Sequence, residues 1–220
     1  MKKYVLFDFD NTLVDSLTIW YKVMHKEAFK FWNVKFVKDI RTLRKGLSNH
    51  EIAQLFIDLT KLQDVKAQEV VDFWNDRMEY YYTHKIKLIK GIREFLNNLK
   101  AKGYSLVLVS ATSKYLLEIA LKHYGLDMHF DFIYTEESLS QPKRSVMFYE
   151  ECLKQLNCKA EDIFLFEDSF ASLTSAHQLN IDACGILHKY NKNNAEKIKA
   201  ITHLTVKNYT DKNLKKLNLL

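Results

Sequence analysis

Two carboxylates set two residues apart, Asp8 and Asp10, close the apolar run Tyr4-Val5-Leu6-Phe7. An apolar run without polar alternation reads as a parallel strand buried on both faces. Acids placed directly after such a strand stand at its C-terminal end, where open α/β sheets hold their ligands. On an extended backbone the i, i+2 spacing aims both side chains at one spot. Such a pair can divide a reaction: one acid attacks or binds metal, the other moves a proton. An aspartate is already ionised at neutral pH, so Asp8 can act as a nucleophile without a base to activate it. Asp10 would then protonate the leaving oxygen and later take a proton from water. Two acids that merely end a strand and open a turn are spelled the same way, so the pair alone does not decide.

Three later segments carry chemistry of a matching kind. Ser110 follows the apolar run Leu106–Val109, where its hydroxyl and the backbone N–H groups from Ala111 onward can donate to phosphoryl oxygens. A serine after a strand is also a common helix cap. Lys143 and Arg144 lie in Gln141-Pro142-Lys143-Arg144-Ser145. A phosphoryl group meeting a carboxylate needs a cation between them, and either residue can supply it. Glu167 and Asp168 follow the apolar run Ile163–Phe166. Adjacent acids there suit an oxygen-rich Mg²⁺ site, with Asp8 and water completing the coordination. They equally suit the start of the helix that follows, near its positive dipole end.

The elements that must hold these residues are legible as periodicity. From Gly91 onward strand and helix alternate. A helix over Ile92–Leu99 stops at Gly103, and a strand over Leu106–Val109 leads to a helix from Ser113 to Gly125. A strand over Phe132–Tyr134 precedes a helix from Ser145 to Leu156. The strand Ile163–Phe166, a helix over Phe170–Leu179 and a strand around Ala183–Leu187 follow. One more short strand within Ile201–Val206 and a Lys-rich terminal helix complete the series. Alternation of this kind predicts an α/β fold, a parallel sheet with helices on both faces. Residues 16–86 contain no buried strand. Trp20, Val23, Met24, Phe31 and Trp32, then Ile52–Leu59 behind the capping box Ser48/Glu51, then Val70–Tyr82, predict three or more amphipathic helices. The expected division is a core of residues 1–15 and 87–220 with a helical insertion over 16–86.

The run D-F-D-N-T-L-V-D-S at Asp8–Ser16, with Ser110, Lys143 and Phe166-Glu167-Asp168-Ser169, resembles the haloacid dehalogenase-like hydrolase superfamily. The likeness is to its phosphoglycolate-phosphatase-like and β-phosphoglucomutase-like branch. The resemblance covers nearly the whole chain. It implies a Rossmann-like doubly wound core with an inserted α-helical cap. It also implies a Mg²⁺-dependent phosphatase acting on a small phosphorylated metabolite. By the same resemblance Asp8 is the nucleophile, Asp10 the proton donor and Lys143 the balancing cation. Thr12, Ser110 and Ala111 would hold the substrate, and Asp8, Asp10, Glu167 and Asp168 the metal. Lys45 and Gly46 match a cap loop that reaches the substrate in such enzymes, and Arg41 and Arg44 stand beside them. Three positions depart from the pattern: Asn11 replaces the commoner glycine, Pro142-Lys143 inverts the usual order, and Ser172 stands at a glycine position. A phosphosugar mutase and a non-catalytic phosphate-binding protein remain alternative expectations.

Composition narrows the partners. An apolar content of 47% supports a core, and 27% charged residues with no long apolar run argues against a membrane span. Three cysteines without metal spacing make a disulfide framework unlikely and favour the cytoplasm. The net charge of +6 comes from lysines spread over solvated faces, without interleaved stacking aromatics, so nucleic acid is not the expected partner. The histidines show no paired ligand spacing and carry no expected role. Oligomeric state is left open.

Overall fold

Six strands of the computed structural model form one sheet: β1 (Tyr4–Phe7), β2 (Ser105–Ser110), β3 (Phe132–Thr135), β4 (Ile163–Glu167), β5 (Asp182–Ile186) and β6 (Leu204–Val206). Residues 2–35, 37, 47–217 and 219 are described. The strand order is β3-β2-β1-β4-β5-β6 and every pairing is parallel. The chain therefore builds outward from β1 on one side, then crosses back to build outward on the other. The reversal falls between β1 and β4, the switch point at which doubly wound sheets open a crevice.

The central strands are apolar throughout because both faces are covered. Val5, Leu6 and Phe7 are fully buried, as are Leu106 to Val109. On one face Leu6, Val107 and Leu165 pack against Phe148, Tyr149 and Cys152 of α8 (Val146–Gln155) and Leu173 and Ala176 of α9 (Phe170–Gln178). On the other, Phe7 stacks on Phe166 with ring centroids 4.8 Å apart. Phe95 of α5 (Ile92–Ala101) meets Phe166 edge-on at 5.2 Å, and Tyr209 closes the aromatic cluster. Helix α6 (Lys114–Tyr124) connects β2 towards β3, and a one-turn helix, α7 (Glu136–Leu139), follows β3.

Two features depart from the periodicity. A helix, α10 (Ala195–Ile201), separates β5 from β6, where the sequence pattern shows no helix. Its apolar signal is sparse, since Ile198 is its single buried residue. The C-terminal Lys-rich segment, Lys212–Leu217, is a 3₁₀ turn rather than an α-helix. Ile198 reaches the sheet at Gly185 of β5, where an added Cβ would collide with the Ile198 side chain and press on Thr205. Gly185→Ala is therefore expected to lower unfolding stability by about 1–3 kcal/mol through overpacking. A denaturant midpoint equal to the parent's would show that α10 can simply move outward.

The chain divides into two compact units, residues 1–15 with 87–220 and residues 16–86. The first holds the sheet. There the departing and returning strands of chain lie side by side: Asp15 N donates to Lys87 O at 3.0 Å and Ile89 N to Leu13 O at 2.8 Å. The second unit is helical. α1 (Leu17–Lys22) runs through a π turn (Val23–Glu27) into α2 (Ala28–Phe31), followed by α3 (Asn49–Thr60) and α4 (Ala67–His84). Its core joins Val23, Met24 and Phe29 to Ile52, Phe56, Val70, Trp74 and Tyr82. The Ser48/Glu51 capping box forms at the start of α3, with Ser48 N donating to Glu51 Oε2 at 2.7 Å. Among the described residues no helix is long and apolar enough to cross a membrane.

Candidate active site

The ladder of β1 runs one residue past the strand, because Asp8 N donates to Phe166 O at 3.0 Å. That bond sets Asp8 beside Glu167, the last residue of β4, at the switch point. Both are buried. Between them lies Lys143, also buried, delivered by the loop after α7. Its ammonium donates to Asp8 Oδ1 and, at 2.6 Å, to Glu167 Oε2. Its main-chain N–H donates to Glu136 Oε1 at 2.8 Å, which anchors the loop. Thr12 Oγ1 donates to Asp8 Oδ2 at 3.1 Å. Thr12 can reach back because the chain turns sharply at Asn11, whose φ of 59° is left-handed. Asparagine tolerates that conformation better than most residues, so it serves where glycine is commoner.

Asp10 opens the same turn, bridged to Val14, and is half-buried. Its Oδ2 accepts from Thr112 Oγ1 at 2.6 Å. Thr112 N in turn donates to Ser110 Oγ at 3.0 Å, so the exit of β2 is braced against the acid pair. Glu167 Oε1 accepts from the N–H groups of Asp168 and Ser169 at 3.1 and 2.9 Å. Ser169 caps α9 through its hydroxyl. Asp168 Oδ2 accepts from His188 Nε2 at 2.7 Å, a tautomer consistent with Tyr190 N donating to His188 Nδ1. Asn191 ties this corner together, donating to Asp168 O at 3.0 Å and Ile186 O at 2.8 Å and accepting from His188 N at 3.0 Å. Asn191→Ala leaves buried groups unpaired and is expected to cost about 1–3 kcal/mol. Unfolding at equal metal content measures it, and a loss well under that range would mean water replaces the amide.

The electrostatics are those of a centre short of positive charge. Burial, with Glu167 adding to it, raises the Asp8 pKa to about 7 despite Lys143. Burial likewise raises Glu167 and Asp168. Burial pulls Lys143 down, but the Asp8 and Glu167 carboxylates outweigh it and leave the ammonium well above its ordinary range. Carboxylate oxygens of Asp8, Glu167 and Asp168 lie within 4.8 Å of one another. Three hard oxygen donors with surplus negative charge fit a divalent cation of the Ca²⁺ or Mg²⁺ kind.

Of the residues picked from sequence, the structure brings together Asp8, Thr12, Lys143, Glu167 and Asp168, while Thr112 ties Asp10 to Ser110. Lys143, rather than Arg144, contacts Asp8; the Arg144 carbonyl accepts from Ser175 Oγ at 2.5 Å. Ser110 is buried at the end of β2 and Ala111 is exposed just beyond it. Lys45 and Gly46, with Arg41 and Arg44, lie outside the described residues. Sequence reasoning missed Thr112, Glu136, His188 and Asn191. His188 in particular has a partner in Asp168, against the expectation that the histidines have no role. The available signal was positional: His188 follows β5 at the same edge of the sheet, two residues past its last strand residue.

Comparison with known proteins assigns the chain to a family. Residues 5–186 match the haloacid dehalogenase-like hydrolase family. A phosphorylated carbohydrates phosphatase of Thermotoga maritima is 21% identical over 192 residues, spanning 87% of this chain and 88% of its own. The GMP/IMP nucleotidase YrfG of Escherichia coli is 26% identical over 191 residues, spanning 82% and 80%. The crystal structure of CbbY from Rhodobacter sphaeroides in complex with phosphate superposes with a TM-score of 0.81 at 20% identity, covering 96% of each chain. With 182 consecutive positions of the chain inside the family match, from the first strand to the fifth, the chain belongs to the haloacid dehalogenase-like hydrolase family and is an enzyme of the hydrolase class.

Proposed function

We propose that the protein is a Mg²⁺-dependent phosphatase that hydrolyses a small phosphate monoester through an aspartyl phosphate on Asp8. The observation that carries this reading is the buried Asp8–Lys143–Glu167 cluster at the switch point. It supplies a carboxylate nucleophile and a cation for the phosphoryl oxygens in one place. Relatives named for phosphorylated carbohydrates and for GMP/IMP support the substrate class without narrowing it.

In this reading an Asp8 carboxylate oxygen forms the new bond to phosphorus as the ester P–O bond breaks. The leaving oxygen takes a proton from the Asp10 carboxyl. Water then adds to the same phosphorus, giving its proton to Asp10, and the P–O bond to Asp8 breaks to release inorganic phosphate. Thr12 holds Asp8 in register, and Thr112 holds Asp10 on the side from which it can reach the leaving group. Lys143 offsets the repulsion between carboxylate and phosphoryl oxygens. Asp8, Glu167 and Asp168, with Asp10, would hold the metal, which would supply charge neutralisation at the transferring phosphoryl group. Ser110 and the N–H of Ala111 are assigned to the phosphoryl oxygens. The inserted unit over 16–86 is assigned to substrate selection as a cap, with Lys45 and Gly46 contacting substrate. Cys152, Cys158 and Cys184 are all free thiols, which fits a cytoplasmic enzyme.

A screen of phosphorylated metabolites with Mg²⁺ or with EDTA tests the assignment. Phosphate release that depends on Mg²⁺ is the expected result. Interconversion of phosphosugar isomers without free phosphate would replace the phosphatase by a mutase.

A further inference from the structure

The sheet-bearing unit carries a second concavity, of about 450 Å³, beside the reacting acids rather than among them. Lys87, Lys90, Lys189 and Lys207 line it against one carboxylate, Asp15. All four lysines are exposed. Among the described residues no carboxylate lies within ion-pair distance of Lys87, Lys90 or Lys207. Lys189 rests on the Tyr190 ring, with Nζ 4.8 Å from its centroid. Lys189 and Lys207 look, in the sequence, like scattered surface charge. The fold gathers them, because the returning chain at Lys87–Lys90, the exit of β5 and the exit of β6 meet at one rim of the sheet.

Four lysines gathered against a single carboxylate repel one another, and the repulsion is relieved when an anion enters. We infer that this groove is a binding site for a small polyanion bearing two or more phosphate groups, distinct from the phosphoryl position at Asp8. The charge count favours a polyphosphate over a single phosphate, because four lysines against Asp15 leave a net of three positive charges, more than one phosphate carries. The size favours a small molecule: about 450 Å³ falls within the usual range for ligand pockets. Nucleic acid fits less well, since Tyr190 is the one Phe, Tyr or Trp in the lining on which a base could stack.

The floor of the groove gives such a ligand a route to the reaction. Asn11, whose left-handed turn sets Asp10 and Thr12, lines it, and so does His188, which donates to Asp168. A polyanion seated there touches two residues that position the acids without itself occupying their place. The site is therefore a regulatory one, and its existence does not depend on which phosphate ester the enzyme hydrolyses.

Inorganic tripolyphosphate is the probe, titrated calorimetrically into the intact protein in EDTA, where turnover is suppressed. Binding should be steeply salt-dependent and tighter than that of inorganic phosphate. The combined variant Lys87→Gln, Lys90→Gln, Lys207→Gln is expected to weaken it by about ten-fold or more, the equivalent of ~1.4 kcal/mol. Acetylation footprinting of the parent gives a second readout: tripolyphosphate should protect Lys87, Lys90 and Lys207 while leaving Lys212 and Lys215 reactive. Equal affinity of variant and parent, no binding by the parent, or no protection at the three lysines each overturns the site. Tighter protection by a single-stranded oligonucleotide than by tripolyphosphate overturns the choice of ligand.

Discussion

Asp8→Asn is expected to reduce phosphate release by on the order of 10⁴-fold or more, since in the proposed reaction it removes the covalent nucleophile and with it the pathway. The substitution is isosteric, and the amide oxygen can still accept from Lys143 or Thr12. Lys143 also keeps Glu167 at 2.6 Å. Folding should therefore survive. Indeed the variant removes one of several acids crowded around a single buried ammonium, so in EDTA at pH 8 its Tm should be no lower than the parent's. Two measurements are needed together: initial rates with Mg²⁺ and a melting curve without it. Retained turnover in a folded variant would mean that another group attacks phosphorus. A collapsed Tm would mean that Asp8 is structural first.

The second large effect is a link between metal, pH and stability. Asp8 holds its proton up to about pH 7 in the folded protein, against 3.8 for the ordinary side chain. Between those values the native state binds more protons than the unfolded chain, so stability falls as pH rises. The contribution is fully present below about pH 4 and lost as pH passes 7. Its ceiling is roughly 4 kcal/mol, from about three pKa units at 1.36 kcal/mol each. Burial raises Glu167 and Asp168 in the same direction. The difference between parent and Asp8→Asn, measured in EDTA from pH 4 to 8, isolates Asp8 from the rest of the molecule. A divalent cation acts oppositely, because it binds the ionised acids and must displace protons at low pH. Saturation to 100 times the dissociation constant stabilises by about 2.7 kcal/mol. Mg²⁺ should thus raise Tm at pH 8 and do little at pH 5. A Mg²⁺ shift of equal size at both pH values would falsify a site built on these carboxylates.

Much of the arrangement is legible in the order of residue types. Buried parallel strands must be apolar on both faces, so Tyr4–Phe7, Leu106–Val109 and Ile163–Phe166 stand out, and polar residues after them mark one edge of a sheet. The alternation of strand and helix from Gly91 onward dictates parallel pairing through the geometry of crossovers. Asp8, Ser110 and Glu167-Asp168 could accordingly be picked as strand-end residues before any coordinates. Where the apolar signal thins, the reading fails. Helix α10 buries Ile198 alone, so nothing periodic announces it, although that one contact is tight enough to require Gly185.

What only the tertiary structure decided is partnership. Lys143 is the better match as spelled, with Arg144 its rival; the register of the loop, fixed by the Lys143 N–H to Glu136 and the Arg144 carbonyl to Ser175, sets the lysine against Asp8. Thr112, His188 and Asn191 lie 102, 20 and 23 positions from the acids they brace, and no local pattern encodes bonds of that reach. The same holds for the lysines of the basic groove, which come from three separate segments. Sequence determines which residues end each strand because burial acts on each segment by itself. Side-chain pairing across strands depends on how whole elements pack, and that is a property of the completed sheet.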